Sequence, residues 1–366
     1  MNNHEILSDF RNQLAQGIIE RDCVPDIQPL AISPWLGMSL MQKAIRRGRE
    51  DLALRAAATL LVDAPDRLWR RLAIIGMEDV GLGDIEVVGL VIASLGGKRM
   101  RASLGGEWSV ASFVVSLMAR STRCRGADDL LCVVADHPAL ASARREFIKM
   151  PTRELLEITT GPEPIAERGL ALYLAVGSNG RPSHYPPTRR GEPQAVFDYM
   201  CEKGFPHSVV EIAREGFRNT NEILCPLVAL LSRETRGDTT VVSDEFPPEV
   251  MIGDVPGYCL DMFTRPGRAA FARFLRTNCE SARWIRAHIA LPRQVDFLGG
   301  IVFRVEGGLL KDRLRWSIGD ELRRKMDLDC NGPDCLDAWE ILELSRSDLP
   351  LLNEIRAQAN GGLRHG

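Results

Sequence analysis

The amino-acid sequence predicts a mainly α-helical fold, with two domains and at most a small β element. Apolar residues recur at the three- and four-residue spacing of amphipathic helices through much of the chain. Glycines and prolines stand where many of these runs begin or end. The length of 366 residues exceeds one ordinary compact core and suits two domains.

The first half consists of helices that follow one another closely. Residues 1–32 are a predicted N-terminal arm, with a short helix and then a loop opened by Pro25 and Pro29. Ser33 can cap the next helix, and Pro34 suits its first turn. The helices predicted after this point are 37–47, 50–62, 66–77, 85–95, 108–119, 128–140, 144–149 and 165–176. Together they predict a helical domain over residues 33–180.

A proline-rich stretch separates the two halves and predicts a linker over residues 181–194. Residues 195–366 are then a second, mostly helical domain. Its predicted helices are 193–203, 208–217, 224–232, 267–291 and 337–344. A turn-rich stretch covers residues 235–266, and the β-branched run 295–305 predicts a strand.

Composition limits the compartment and the mode of nucleic-acid binding. The 46 basic and 49 acidic side chains give a net charge of −3, which excludes coating of DNA by bulk charge but allows a local basic patch. The start of the chain lacks the pattern of a secretory signal, and no apolar stretch is long enough to span a bilayer. Nine scattered cysteines indicate reduced thiols. We therefore expect a cytoplasmic protein without a membrane partner.

Motifs for nucleotide hydrolysis and acid–base catalysis are missing. The run Gly-Gly-Lys at residues 96–98 is the nearest match to a P-loop, but it lacks the earlier glycine and the following Ser or Thr. Glu78 and Asp79 are adjacent, and neighbours in a helix diverge by about 100 degrees, so we expect them not to share one pocket. The sequence therefore predicts no enzyme and no cofactor.

Metal-binding patterns are equally weak. Cys330 and Cys335 are the only close pair of cysteines, and no second Cys/His pair follows them. The histidines considered as ligands are isolated in the sequence, namely His137, His184, His207 and His288. We predict no metal site from these residues.

Two segments of the first half carry a distinctive pattern. One is QKAIRRG at residues 42–48, followed by REDLAL at 49–54, and the other is RRLAIIGMEDVGLGD at 70–84. Together they resemble the C-terminal helical region of the replication-associated recombination AAA+ ATPases of the MgsA/RarA type, which are related to clamp-loader subunits. In that family a helix ends in Arg-Gly, an acidic turn opens an Ala/Leu helix, and an Arg-Arg-Leu helix ends in Glu-Asp-Ile/Val-Gly-Leu-x-Asp. Residues 169–179 resemble a later family segment more weakly.

The resemblance implies a clamp-loader-collar-like helical domain at residues 33–180 without the ATPase module of the family. In that family the region forms oligomer contacts, in some members as a tetrameric collar, and the proteins work at replication forks. For this chain it implies a homo-oligomer, a tetramer ahead of a dimer, and a part in DNA replication or repair. The positions that match the family motif, with expected structural roles, are Arg47, Gly48, Asp51, Arg71, Leu72, Glu78, Asp79, Gly81 and Asp84.

A basic face is predicted on the helix 267–291. At about 100 degrees per residue, five arginines fall within an arc of about 140 degrees, opposite Phe271 and Phe274. Thr264 can cap this helix, and Pro266 suits its first turn. The face is either a solvated surface, a partner for the acidic stretch 327–343, or a stripe that contacts phosphates. The arginines, which are the candidate nucleic-acid-binding residues, are Arg268, Arg273, Arg276, Arg283 and Arg286.

Three functions remain open at this point. The first is a non-enzymatic accessory protein of DNA replication or repair that self-assembles and contacts nucleic acid. The second is a scaffold subunit that binds replication or defence proteins, as in a mobile-element or phage-defence complex. The third is an enzyme with an unrecognised site in the second half, anchored on Tyr258, Asp261 and Thr264.

Because the chain lacks a P-loop, we predict that it neither hydrolyses ATP nor binds it tightly. Phosphate release by the purified chain, measured with Mg²⁺ and with or without DNA, should not exceed the buffer blank. Hydrolysis that copurifies with the wild-type chain and disappears on a point mutation in it would overturn this expectation.

Overall fold

The computed structural model describes residues 3–177, 189–235, 237, 239–327 and 338–361. Within these ranges the chain forms nineteen α-helices and two small antiparallel sheets, which confirms the predicted mainly α fold with a small β element. None of these helices combines the length and the apolar character needed to cross a membrane.

The helices are named in chain order. They are α1 (Asn3–Ile19), α2 (Pro34–Arg46), α3 (Glu50–Asp63), α4 (Pro65–Ile75), α5 (Ile85–Ser94), α6 (Lys98–Ser103), α7 (Glu107–Arg120), α8 (Gly126–Asp136), α9 (Ala141–Phe147), α10 (Thr152–Thr160), α11 (Ile165–Val176), α12 (Pro193–Glu202), α13 (His207–Thr220), α14 (Leu224–Leu231), α15 (Arg265–Phe274), α16 (Glu280–His288), α17 (Gln294–Val302), α18 (Ser317–Lys325) and α19 (Ala338–Gly361). The strands are β1 (Thr240–Val242), β2 (Met251–Ile252), β3 (Val255–Pro256) and β4 (Arg313–Arg315). β1 pairs with β4, and β2 with β3.

The chain divides into two compact units. The first unit takes the described residues of Met1–Val24, Trp69–Val242 and Asp312–Cys330. The second unit takes those of Pro25–Leu68, Ser243–Lys311 and Asn331–Gly366. α4 spans the boundary, with its last turns in the first unit.

The core of the first unit is built on its most apolar helices. All eight residues of α14 are buried, because a helix that is apolar on every side can be accommodated only inside the protein. α5 packs against α1, α7 and α13, while α11 packs against α8, α10 and α14. Gly89 of α5 lets α1 come close, since a Cβ at this position would lie 2.4 Å from Cε1 of Phe10.

The second unit packs α15, α16 and α17 against the long helix α19. Its core contains Phe271 and Phe274 of α15, Leu298 of α17, and Ile341 and Leu352 of α19. α2 and α3 pack on each other in the same unit, as their apolar spacing predicts. The hairpin formed by β2 and β3 completes it.

The two units do not follow the predicted boundaries at residues 180 and 195. α2 and α3, expected to belong with residues 33–180, lie in the second unit, while α12, α13 and α14 lie in the first. The predicted arm 1–32 is divided between the units. Of the predicted linker, residues 181–188 lie outside the described residues. Apolar periodicity shows that a helix face needs burial, but it does not identify the partner that buries it.

Two local predictions in the second unit were wrong. The predicted helix 267–291 is two helices, α15 and α16, separated by residues 275–279. In this turn the hydroxyl of Thr277 donates to the carbonyl of Phe274 at 2.8 Å, and such bonds compete with helix continuation. The predicted strand 295–305 is α17 followed by a π-helical turn, because helix buries Leu298, Ile301 and Val302 together against the core.

Asp129 is a buried carboxyl group on α8, only 5% exposed. Burial raises its pKa to about 7; Arg125 lowers the pKa, but Asp128 adds to the increase. Between about pH 4 and about pH 7 the folded chain therefore holds a proton that the unfolded chain, with an aspartate pKa of about 3.9, has released.

We therefore predict that stability falls as the pH rises from about 4 to about 7 and is constant with respect to this group above pH 7. The folded state binds one more proton than the unfolded state in this pH range. The free energy of unfolding therefore falls by up to about 4 kcal/mol. Asp129→Asn, which resembles the protonated acid, should remove this slope and be more stable than the wild type at pH 8. Urea unfolding across the pH range measures it.

Asp22→Asn is the matched control, since Asp22 is an exposed aspartate of the same unit. It should keep the wild-type pH profile. An unchanged pH profile in Asp129→Asn would show that Asp129 is ionised in the folded chain.

Candidate nucleic-acid interface

The five predicted arginines lie on α15, on the turn after it and on α16. Thr264 caps α15 by accepting from the amide of Gly267 at 3.2 Å, and Pro266 lies in the first turn. Arg268 and Arg273 belong to α15, Arg276 to the turn, and Arg283 and Arg286 to α16; all five are exposed. We call these five residues the arginine surface.

The faces of the two helices opposite the arginines are buried. The predicted single helix placed its apolar residues on this same side. Phe271, Phe274 and Leu275 of the α15 segment and Ala282 and Ile285 of α16 are all within the core of the second unit. This burial fixes which way the helices face, so the arginine side chains extend from an anchored backbone.

Partners of the arginine surface are few and exposed. Arg268 contacts Asp296 at 3.1 Å, with side chains 53% and 60% exposed, and Arg283 lies 3.9 Å from Glu280. Such solvent-exposed pairs contribute about 0–1 kcal/mol. Arg273 and Arg276 have no carboxylate partner within the part of the chain that the structure describes.

Arg286 connects the two helices. Its guanidinium donates to the carbonyls of Leu275 and Thr277, the latter at 2.8 Å, at the end of α15. A cation at the C-terminal end of a helix also meets the negative end of the helix dipole. Arg286 therefore fixes the turn that carries Arg276, which the analysis of one continuous helix could not reveal.

The acidic stretch 327–343 does not pair with the arginine surface where both are described. Glu340 accepts from the indole of Trp284 at 3.2 Å, Glu343 pairs with Arg346, and Asp327 lies 3.7 Å from Arg323. Residues 328–337 lie outside the described residues. Among the described side chains, therefore, the predicted alternative of pairing with this stretch finds no contact.

The motif residues at 78–84 hold the first unit together. Glu78 and Asp79 contact the same Nη1 atom of Arg125, at 3.0 Å and 2.5 Å. The expectation that these neighbours share no pocket was wrong, because residues 76–80 form a π-helical turn and one guanidinium reaches both carboxylates. Burial lowers the pKa of Arg125, but Asp128, Asp79 and Glu78 raise it well above its ordinary value.

The rest of this motif shapes the backbone. Gly81 has φ +48°, and a Cβ there would lie 2.7 Å from the carbonyl oxygen of Cys124, so only glycine fits without displacement. Asp84 caps α5 by accepting from the amide of Val87 at 3.1 Å. Leu72 is fully buried in α4. Arg71, on the same helix, is half-buried.

The motif residues near 47–51 belong to the second unit. Arg47 ends α2 and lies 4.1 Å from the ring centre of Tyr258, and its Nη2 donates to the carbonyl of Glu306 at 2.7 Å. Gly48 has φ +66°, which ends α2, and Asp51 pairs with Arg49 at 3.0 Å at the start of α3. These roles are structural.

The cluster considered as an enzyme anchor is also accounted for by structural contacts. Asp261 pairs with Lys43 and accepts from the hydroxyl of Ser39 at 3.0 Å. Burial raises the pKa of Asp261. Lys43 and Ser39 lower it by more, so the net pKa lies below the ordinary value. Tyr258 donates to Glu249 at 3.1 Å, and Thr264 caps α15. The carboxylate of Asp261 is thus bound by Lys43 and Ser39.

Two of the four histidines have local roles. The ring of His137 accepts from the amide of Ala139 at 3.2 Å, and His288 stacks on Trp284 with ring centres 4.2 Å apart. His184, like Cys330 and Cys335, lies outside the described residues.

Sequence analysis missed a cluster around the remaining histidine. His207 and Glu211 are four residues apart on α13, and their ligand atoms lie within 4.8 Å of the thiol of Cys201 on α12. The His-x-x-x-Glu spacing, which puts both side chains on one helix face, was the available signal. Cys201 could not be added to it from sequence, because its approach depends on how α12 packs against α13.

Comparisons with protein-family models, with curated proteins and with solved structures gave no match. The similarity of residues 42–84 to the recombination ATPases is therefore a resemblance of motif alone.

Proposed function

We propose that this chain is a non-enzymatic accessory protein of DNA replication or repair that binds nucleic acid through the arginine surface. The observation that carries the proposal is a set of exposed guanidinium groups on two helices whose opposite faces are buried in the core. Guanidinium groups bind phosphate oxygens with two parallel hydrogen bonds, so such a surface suits a nucleic-acid backbone.

The local charge supports binding at this place in particular. Seven arginines and one acidic residue, Glu280, lie between Thr264 and Arg293, in a chain whose net charge is −3. A chain with this total does not attract a polyanion by bulk charge, so attraction requires a concentrated basic region. The weak pairs at Arg268 and Arg283 leave these side chains available for exchange with phosphates.

Arg276→Ala combined with Arg283→Ala tests the proposal. Each arginine that contacts a phosphate should contribute about one to the slope of log K against log salt, so the slope should fall by up to about 2. Binding should weaken for every sequence alike, because phosphate contacts carry no base information. Fluorescence anisotropy with duplex and single-stranded oligonucleotides over a salt series measures both quantities.

The fold should survive this change, because both side chains are exposed and Arg286, which holds the turn, is retained. The control is Arg153→Ala with Arg218→Ala, which removes two exposed arginines from helices of the first unit. It alters the net charge equally and should leave the slope unchanged. A slope that is unaltered in the test variant, or reduced equally in the control, would reject the arginine surface as the binding site.

Self-assembly is the second part of the proposal, with a tetramer preferred and a dimer as the alternative. It is supported by the motif resemblance and by exposed apolar side chains on α2 and α3, where Trp35 is 58% and Val62 70% exposed. A Cβ at Gly37 would lie 3.3 Å from Cδ2 of Leu60, so the start of α2 lies beside the end of α3, and Trp35 and Val62 lie at the same end of the pair.

We predict that light scattering at micromolar concentration gives a mass that is a multiple of 40.6 kDa. Trp35→Ala with Val62→Ser should shift the mass towards the monomer, since it removes apolar area from the proposed contact. Trp339→Ala, which removes another exposed tryptophan of the second unit, should not. A monomer mass for the wild-type chain would eliminate the self-assembly proposal while leaving nucleic-acid binding open.

A further inference from the structure

Three different metal-binding groups converge between α12 and α13 in the first unit. Cys201 lies in the last turn of α12, His207 begins α13, and Glu211 follows one turn later on the same face. The Oε1 atom of Glu211 is 4.0 Å from Sγ of Cys201 and 4.0 Å from Nδ1 of His207. All three ligand atoms lie within 4.8 Å of one another.

We propose that Cys201, His207 and Glu211 bind a divalent ion of the zinc type, with water as the fourth ligand. Zinc takes thiolate, imidazole and carboxylate ligands together, at about 2.3 Å for sulfur and about 2.0–2.2 Å for nitrogen and oxygen. In a tetrahedron those bonds put the ligand atoms about 3.4–3.6 Å apart. The two 4.0 Å separations from Glu211 therefore need to close by about half an ångström, and the third, which is within 4.8 Å, by up to about 1.2 Å, through side-chain rotation.

The burial of the three groups differs in a way that suits an open site. The carboxylate of Glu211 is 3% exposed, whereas the side chain of His207 is 42% exposed. The thiol of Cys201 is half-buried between them. Solvent therefore reaches the cluster from the side of His207, which is where a water ligand would bind.

Arg214 competes with the ion for these ligands. Its Nε lies 3.3 Å from Oε1 of Glu211, and its Nη2 lies 3.8 Å from Sγ of Cys201. Its Nη1 also contacts Asp198 at 2.8 Å, on the exposed side. When the ion binds, Arg214 can keep Asp198 and give up Glu211, so it sets the affinity of the site without occupying it.

This inference does not depend on the proposed nucleic-acid binding, because the ligands belong to the first unit and the arginine surface to the second. A negative result for the metal site therefore leaves the nucleic-acid-binding proposal open, and the reverse also holds.

Cobalt titration of the full, metal-stripped chain tests the proposal. Co²⁺ should produce visible bands of a tetrahedral ion and a near-ultraviolet thiolate-to-cobalt charge-transfer band, which saturate at one ion per chain. Zn²⁺ should displace the cobalt. The charge-transfer band reports a cysteine ligand directly, and no structural role of Cys201 would produce it.

Substitutions assign the ligands. Cys201→Ser should abolish the charge-transfer band, and His207→Ala, at an exposed position, should weaken cobalt binding at least about tenfold. Arg214→Gln should strengthen binding, because it removes the competing cation. Cys279→Ser, at another half-buried free cysteine, should change nothing.

Three results would overturn the proposal. One is the absence of a charge-transfer band in the wild-type chain at saturating cobalt. The second is a band that persists in Cys201→Ser, which would assign it to another cysteine. The third is unchanged cobalt affinity in His207→Ala. If Arg214→Gln does not strengthen binding, the guanidinium is not a competitor, and that step of the argument is lost.

Discussion

Arg125 is buried with its guanidinium bound to the carboxylates of Glu78, Asp79 and Asp128, and the first unit depends on this contact. Removing this cation from a buried ion cluster would be strongly destabilising, by several kcal/mol for such groups. Three carboxylates already face one cation. Asp129 directly follows Asp128 on α8, and its pKa is raised mainly by burial, while Arg125 lowers it and Asp128 raises it. The pH response predicted for Asp129 therefore comes from its burial, and the nearby ion cluster contributes effects of both signs.

The features that could be predicted from the sequence are those that depend on interactions between residues close together in the chain. The cap at Thr264, the proline in the first turn and the buried faces of Phe271 and Phe274 all follow from spacing within a few residues. The break between α15 and α16 does not, because Arg286 fixes the turn from eleven residues beyond Leu275. Of the candidate site, the arginines and their exposure could be predicted, but not their arrangement on two helices.

The unit boundaries could not be predicted, because they depend on contacts between distant parts of the chain. α2 and α3 share a unit with α15, α16, α17 and α19, although about two hundred residues separate the two groups. The two segments of the motif pattern consequently serve different units: residues 42–54 lie in the second and residues 70–84 in the first. What both segments share is the chemistry of helix ends, with Gly48 at φ +66° and Gly81 at φ +48°.

Arginines in the core of this protein differ in their surroundings from arginines on its surface. Three buried arginines pair with carboxylates: Arg125 with Glu78, Asp79 and Asp128, Arg356 with Glu306 at 3.0 Å, and Arg168 with Glu234 at 2.9 Å. Burying a cation is costly unless it is paired or hydrogen-bonded, which is the role of these carboxylates. On α15 and α16 water solvates the exposed guanidinium groups, so these arginines need no carboxylate partner. In the proposed function, the arginines of this surface, which have a single acidic residue among them between Thr264 and Arg293, contact an anionic ligand.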